Sequence, residues 1–370
     1  MGLSSLEQIE RLQLIRSDNV GPVTYRQLIT RFGSAGEALR ALPSITKNTG
    51  RRRIKICPPQ VAEKEMALTR QAGAEFCFHG TPAYPSTLAA LPDAPPVLIT
   101  KGNPDLLLRN QIGMVGARNA SAAGMKFART IAQDLGKANI VVTSGLARGI
   151  DTAAHHGALK SGTIAVIAGG IDVIYPPENK ELYADIAAQG LIICELPIGT
   201  KPVARHFPQR NRLISGLSQG VLVVEAALRS GSLITARNAG EQGREVFSVP
   251  GSPLDPRHRG TNDLLRQGAT LVESAEDILD VVNGALFRSS RMPELPFGPV
   301  DETPVASPPD ADDLGAARPH LLEKLSATPI DVDELIRQCD LTPALVLTIL
   351  LELELAGQLE RHAGNRVALI

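Results

Sequence analysis

Eight short runs of branched and other apolar residues, VLIT, IGMVG, IVVTSG, TIAVIAGG, LIICE, VLVVEA, EVFSVP and TLVE, punctuate residues 97–282 and alternate with amphipathic stretches of helical period. Apolar runs without in/out alternation are strands covered on both faces, so the pattern predicts an α/β fold with a doubly wound, mostly parallel sheet. In such sheets ligands bind beyond the carboxyl ends of the strands, near the point where strand order reverses. The segments to read for chemistry are therefore GARNAS (116–121), SGLARGID (144–151), GGIDVIYP (169–176), ELPIGTKPVARHFPQRNR (195–212), EAALRSGSLITARNA (225–239) and PGSPLDPRHRGTNDLL (250–265).

Most of these loops combine Gly, Ser, Asn or Arg and run into a helix. Glycine lets backbone approach an anion, and helix N-termini offer oriented N–H donors, so several phosphate-sized sites can line one rim. From Leu196 to Val224 there is no acidic residue, yet Lys201, Arg205, His206, Arg210 and Arg212 surround Phe207. Spaced cations around an aromatic ring suit a single nucleic-acid strand, whose phosphates pair with Lys/Arg while a base stacks. A solvated basic face with one core Phe is the plainer alternative. Arg118, its neighbour Asn119, and Arg148 lie in the Gly-rich turns and join the candidate set.

Other chemistries fit less well. GMVGARNA is not a dinucleotide fingerprint, no acidic residue closes the second strand, and no GxxxxGK[ST] loop is present. His155 and His156 follow Asp151 by about one helical turn, which is weak evidence for a catalytic set. The alternative from another class is a nucleotide-processing, phosphoribohydrolase-like enzyme with Asp151 or Glu225 as its carboxylate, although Asp151 reads more simply as an acid in a helix's first turn.

Around this core the chain divides into a helical segment (1–80), the α/β domain (81–282), a linker (283–318) with six prolines between 293 and 309, and a C-terminal segment (319–370). NVGPVTYRQLITRFGSAGEAL resembles a helix-hairpin-helix or SAM-like unit, and two packed helices joined by a Gly-Pro turn are an equal reading. GRRRIKIC (50–57) reads as a solvated basic face. Residues 319–370 read as a winged helix whose third helix offers Glu352 and Glu354 and no cation, which favours a protein-binding or structural role over groove reading.

Composition sets the outer limits. The formal charge is −1, from 38 Lys+Arg against 39 Asp+Glu, which excludes a polycationic binder but not a local groove. Residues 1–282 carry 31 against 25, the linker 3 against 6, and the tail 4 against 8, so a basic body is joined to an acidic appendage. Cys57, Cys77, Cys194 and Cys339 have neither disulfide nor zinc spacing and are expected as buried thiols. The N-terminus lacks the apolar core of a secretory signal, and no membrane-spanning run occurs, so a cytoplasmic location is expected.

The motif series MVGARNAS, VVTSGLARGIDTAAHHGAL, TIAVIAGGIDVIYPPENKEL, FPQRNRLISGLS, VVEAALRSGSLITARNA and VFSVPGSPLDPRHRGTNDLLRQGA resembles the DNA-processing protein A (DprA/Smf) family over about residues 80–275. The resemblance implies an extended Rossmann-like domain that binds single-stranded DNA without sequence preference, acts in natural transformation, loads the RecA recombinase and forms a homodimer through the α/β domain. It implies no catalytic residue, cofactor or metal. The binding positions it carries over are Arg118, Ser144, Gly145, Gly149, Phe207, Arg210, Asn211, Arg212, Gly231 and Ser232. Relatives often place a basic residue directly after Tyr-Pro; here Pro177 stands there, and Lys180 is the nearest substitute.

Overall fold

The computed structural model describes residues 3–47, 55–291, 311–362 and 364–370. Much of the basic run at 50–57 and the proline-bearing centre of the linker lie outside the described residues. Among the described residues two compact units are present, one spanning residues 64–291, the other composed of residues 3–47, 55–63, 311–362 and 364–370.

The first unit is built on a nine-stranded sheet: β1 (Glu75–Phe78), β2 (Val97–Gly102), β3 (Gln111–Val115), β4 (Val141–Ser144), β5 (Thr163–Val166), β6 (Leu191–Cys194), β7 (Gly220–Val223), β8 (Glu245–Ser248) and β9 (Thr270–Leu271). Its spatial order is β1-β2-β6-β5-β4-β3-β7-β8-β9, parallel from β6 to β9 and antiparallel at β1–β2 and β2–β6. All eight apolar runs become strands. The ninth, β1, lies in EFCF, a short edge strand whose first half is not buried, and it brings the sheet's start to residue 75, before the expected boundary at 81. Strand order reverses between β3 and β7, each of which runs forward into a helix.

Those helices are α6 (Ala122–Lys137), α7 (Ile150–Ala158), α8 (Lys180–Gln189), α9 (His206–Leu217), α10 (Ser232–Glu241), α11 (Arg259–Arg266) and α12 (Ala275–Arg291). They follow α1 (Ser5–Ile15), α2 (Pro22–Phe32), α3 (Ala35–Lys47), α4 (Pro59–Gln71) and the single turn α5 (Ser86–Ala89). Alternate strand residues face opposite layers. Ile112, Met114, Val142 and Leu222 pack with α6, α7 and α12, whereas Val115, Val141, Val221 and Val223 pack with α9 and α10. Continuous apolar strands thus carry helices on both faces.

In the second unit, α13 (Ala311–Lys324), α14 (Val332–Cys339) and α15 (Pro343–Leu355) join a three-stranded sheet of β10 (Ile330–Asp331), β11 (Leu359–His362) and β12 (Arg366–Leu369), in the order β10-β12-β11. This is a winged helix. Helices α12 and α13 extend into the expected linker, continuing to Arg291 and starting at Ala311. All four cysteines are free and buried.

Candidate nucleic-acid interface

Beyond the carboxyl ends of β3, β4, β5 and β7 the candidate residues fall into two layers. In the inner layer, charge is spent inside the protein. Beside the starts of α6 and α7, backbone donors are taken by carboxylates of the chain itself. At α6, Ser121 caps Gly124 N at 2.9 Å, while its own N–H and hydroxyl donate to Glu225 at 3.0 and 2.5 Å. At α7, Asp151 Oδ2 accepts from Gly145 N at 3.1 Å and Ala147 N at 3.3 Å. Ser121 N, Gly145 N and Ala147 N are therefore held by Asp151 and Glu225, both buried, rather than open to a phosphate.

Burial pushes the Asp151 carboxyl above its ordinary value, and the Arg210 charge opposes that rise. Arg210 is itself 7 % exposed. Its guanidinium donates to Gly145 O at 2.5 Å, to Val166 O, and to Asn211 Oδ1 at 3.2 Å, tying the β4 and β5 ends to α9. Burial brings it down to about 10, with Asp151 working to raise it. Gly145 leaves room for this arrangement, since a Cβ at this position would fall 2.3 Å from the Arg210 guanidinium and displace it. Gly149, at φ +77°, passes so close to Ala117 O that a Cβ would sit 2.3 Å from it.

The outer layer is available. Arg118 and Asn119 stand on the β3 loop, both exposed. The Arg118 guanidinium lies 5.4 Å over the Phe207 ring, and Tyr175 meets the same ring edge-on at 5.7 Å. Lys201, Arg205 and Arg229 are exposed around this group, and Arg148 is paired loosely with Glu178 at 3.8 Å. Two cavities open here. One of about 180 Å³ is lined by Arg118, Gly145, Arg148, Tyr175, Phe207 and Arg210, among others. The other, about 540 Å³, runs past Arg118, Asn119, Phe207, Asn211, Arg229, Gly231 and Ser232 over the start of α10.

The structure thus sorts the sequence-derived set. Arg118, Asn119, Gly145, Arg148, Phe207, Arg210, Asn211, Gly231 and Ser232 line the cavities; Ser144, Gly149, Lys201, Arg205 and Arg212 do not. Lys201 and Arg205 remain exposed beside them. Ser144 is fully buried and donates to Met114 O at 2.6 Å, a brace between strands. Arg212 donates to Asp93 O and Glu195 Oε2, each at 2.6 Å, so its charge has a carboxylate partner within the protein. Lys180 lines neither cavity, and Glu178 occupies that wall instead. Tyr175, Arg229 and Arg257 are cavity residues absent from the sequence-derived set; each stands in one of the six strand-end loops, and Arg229 directly precedes the SGS turn.

Asp151 and Glu225, the carboxylates of the enzyme alternative, accept from backbone N–H groups and the Ser121 hydroxyl, and Asp151 also lines the larger cavity. His155 is buried and turned to Thr163 Oγ1 at 2.7 Å, with burial taking it down to about 3. Among the described residues no cluster of His, Cys, Asp and Glu could hold a metal ion, and no helix is long and apolar enough to cross a membrane.

Comparison with known proteins places this geometry in a family. Residues 75–283 match the model described as DNA recombination-mediator protein A, residues 5–67 the DprA-like N-terminal HHH domain, and residues 305–365 the DprA winged helix domain. Protein Smf of Escherichia coli is 40% identical over 289 residues, covering 77% of this chain and 75% of that protein. Protein Smf of Synechocystis is 33% identical over 98% of this chain and 99% of that protein. Among solved structures, DNA processing protein A from Streptococcus pneumoniae aligns with a TM-score of 0.63 at 36% identity, over 75% of this chain and 98% of that one. A Helicobacter pylori DNA processing protein A, solved for its single-stranded DNA binding mode, aligns with a TM-score of 0.53 at 29% identity, over 57% of this chain and 97% of that one. The chain belongs to the DNA recombination-mediator protein A (DprA/Smf) family of DNA-processing proteins.

Proposed function

We propose that the chain binds single-stranded DNA along the outer layer of the rim, without sequence preference, and hands the strand to a RecA-class recombinase during the processing of incoming DNA in natural transformation. The observation that carries this reading is the Arg118–Phe207–Tyr175 group at the mouth of the cavities. It offers a ring face and edge for a base beside a cation for a phosphate, flanked by exposed Lys201, Arg205 and Arg229. The Asp151 and Glu225 carboxylates take backbone donors beside α6 and α7, which supports side-chain cations and the start of α10 as the anion contacts.

The recombination-mediator description of the matched family supports a partner that performs strand exchange, as does the absence of a phosphate-binding loop in the sequence. A homodimer through the α/β unit belongs to the same proposal; Leu254 and Leu271 give that unit exposed apolar surface. The test is the affinity of the full chain for a fluorescent oligothymidine and for a matching duplex across a salt series. Stronger, salt-sensitive binding of the single strand is expected. Equal affinity for both would overturn the reading, and so would turnover of nucleoside monophosphates that is lost in Asp151→Ala or Glu225→Ala.

A further inference from the structure

Helix α15 carries more leucine than one buried stripe requires. Val346, Ile349, Leu350 and Leu353 enter the winged-helix core with Leu321 and Leu335. Leu351 and Leu355, one turn apart on another face, enter a separate core made with Leu14, Val20, Tyr25 and Leu28 of the N-terminal segment. Leu351 and Leu355 are 2 % and 1 % exposed. Polar contacts extend the seam: Asn19 Nδ2 donates to Leu355 O at 3.1 Å, and a Cβ at Gly357 would meet Asn19 Nδ2 at 3.3 Å.

The acids of α15 are also spent internally. Glu352 is paired with Arg318 and Glu354 with Arg361, the latter at 2.9 Å. A winged helix that reads duplex DNA keeps a polar or basic face of its third helix free for the major groove. Here the helix has no Lys or Arg, and a face it does not give to its own core is covered by residues more than 300 positions away in the chain.

We propose that the winged helix is a clasp whose ligand is the N-terminal helical segment of its own chain: the Leu351/Leu355 stripe is a protein-docking surface occupied by residues 3–47, not a nucleic-acid reader. The two ends of the chain then fold as one cooperative unit. This inference does not depend on the rim's ligand.

The experiment is hydrogen exchange on the full chain and on Leu351→Glu/Leu355→Glu, two changes that spare the winged-helix core. Faster exchange is expected in residues 12–42 of the variant, with protection retained at Leu335, Ile349 and Leu353 and with oligothymidine affinity unchanged. Unaltered exchange at residues 12–42 would overturn the clasp. Should the double change unfold the winged helix, Asn19→Cys/Gly357→Cys gives a second reading: oxidation is expected to join the two ends inside one chain, and failure to do so overturns the proposal. A matching duplex added to the unsubstituted chain is expected to leave exchange along α15 unchanged; protection of α15 by duplex would also refute the clasp. Loss of oligothymidine binding in the unsubstituted chain bears on the rim alone.

Discussion

Arg210 and Arg118 face one another across the Phe207 corner of the rim, and they differ in almost everything that governs what an arginine does. Arg210 lies inside, bonded to strand-end carbonyls and near the buried Asp151. Arg118 lies outside, stacked on an aromatic ring in contact with solvent. The lesson is that a cluster of cations in sequence need not be a cluster of ligands in space. The inner layer keeps the loops in shape, and the outer layer is left to bind, so changes in the two layers are expected to have separable consequences.

The largest effect is expected from changes in the inner layer. Asp151→Asn keeps the shape of the side chain but removes a carboxyl that accepts from Gly145 N and Ala147 N and opposes the burial of the Arg210 charge, with an expected loss of about 1–3 kcal/mol, measurable by denaturant or thermal unfolding. Arg210→Met is expected to behave differently with pH. Without the guanidinium, the folded-state value of Asp151, already raised by burial, rises further above its unfolded value. Its neutral form is the stable one in the folded protein, so the variant recovers stability toward acid pH and loses it as pH rises through that folded value. Equal deficits at pH 5 and pH 8 would break the assignment of Asp151 as the partner.

Next comes His155, beneath the same loop. Its folded value is depressed to about 3 from 6.5, by burial first and by the His156 and Arg210 charges after it. The unfolded chain therefore takes up the proton first, and stability is present above 6.5 and lost progressively as pH falls toward 3. Between about pH 7 and about pH 4.5 this residue accounts for a loss of about 3 kcal/mol. His155→Asn retains a polar atom for Thr163 and is expected to flatten that part of the pH–stability profile, whatever its cost at neutral pH.

Legibility in the sequence differs by layer. The strands are legible because buried parallel strands must be apolar throughout; EFCF escapes because an edge strand has no such requirement. The loops are legible because strand ends and Gly-rich turns announce them. The direction of each arginine is harder to read, although α9 holds the clue: Arg210 falls on the same stripe as His206, Leu213, Ile214 and Leu217, all buried, whereas Arg205 precedes the helix. Tyr175 is unreadable as a partner of Phe207 since the two meet only through tertiary folding. The second stripe on α15 is present in PALVLTILLELEL, but nothing local names its occupant. Nor does that segment reveal that Glu352 and Glu354, which stand in the sequence as a groove-repelling pair, are each matched by an arginine from another element.

The smallest effects are expected in the outer layer, and they sharpen the comparison most because they leave stability alone. Arg118→Ala removes a cation and the stacking that fixes its place, and is expected to weaken oligothymidine binding about tenfold with unfolding unchanged. Lys201→Ala and Arg205→Ala remove exposed cations from the segment that leads into α9. Each contributes an exposed charge rather than a stacked one, so each is expected to reduce affinity about two- to threefold at moderate salt and to lower the slope of log K against log salt by about 0.7 for every phosphate left unpaired. The slope is the decisive reading. A packing residue changes affinity at all salt concentrations alike, whereas a phosphate-pairing cation changes it most at low salt. Variants at Lys201 and Arg205 with unaltered slopes would move the strand away from this side of the rim, toward Arg229 and the start of α10.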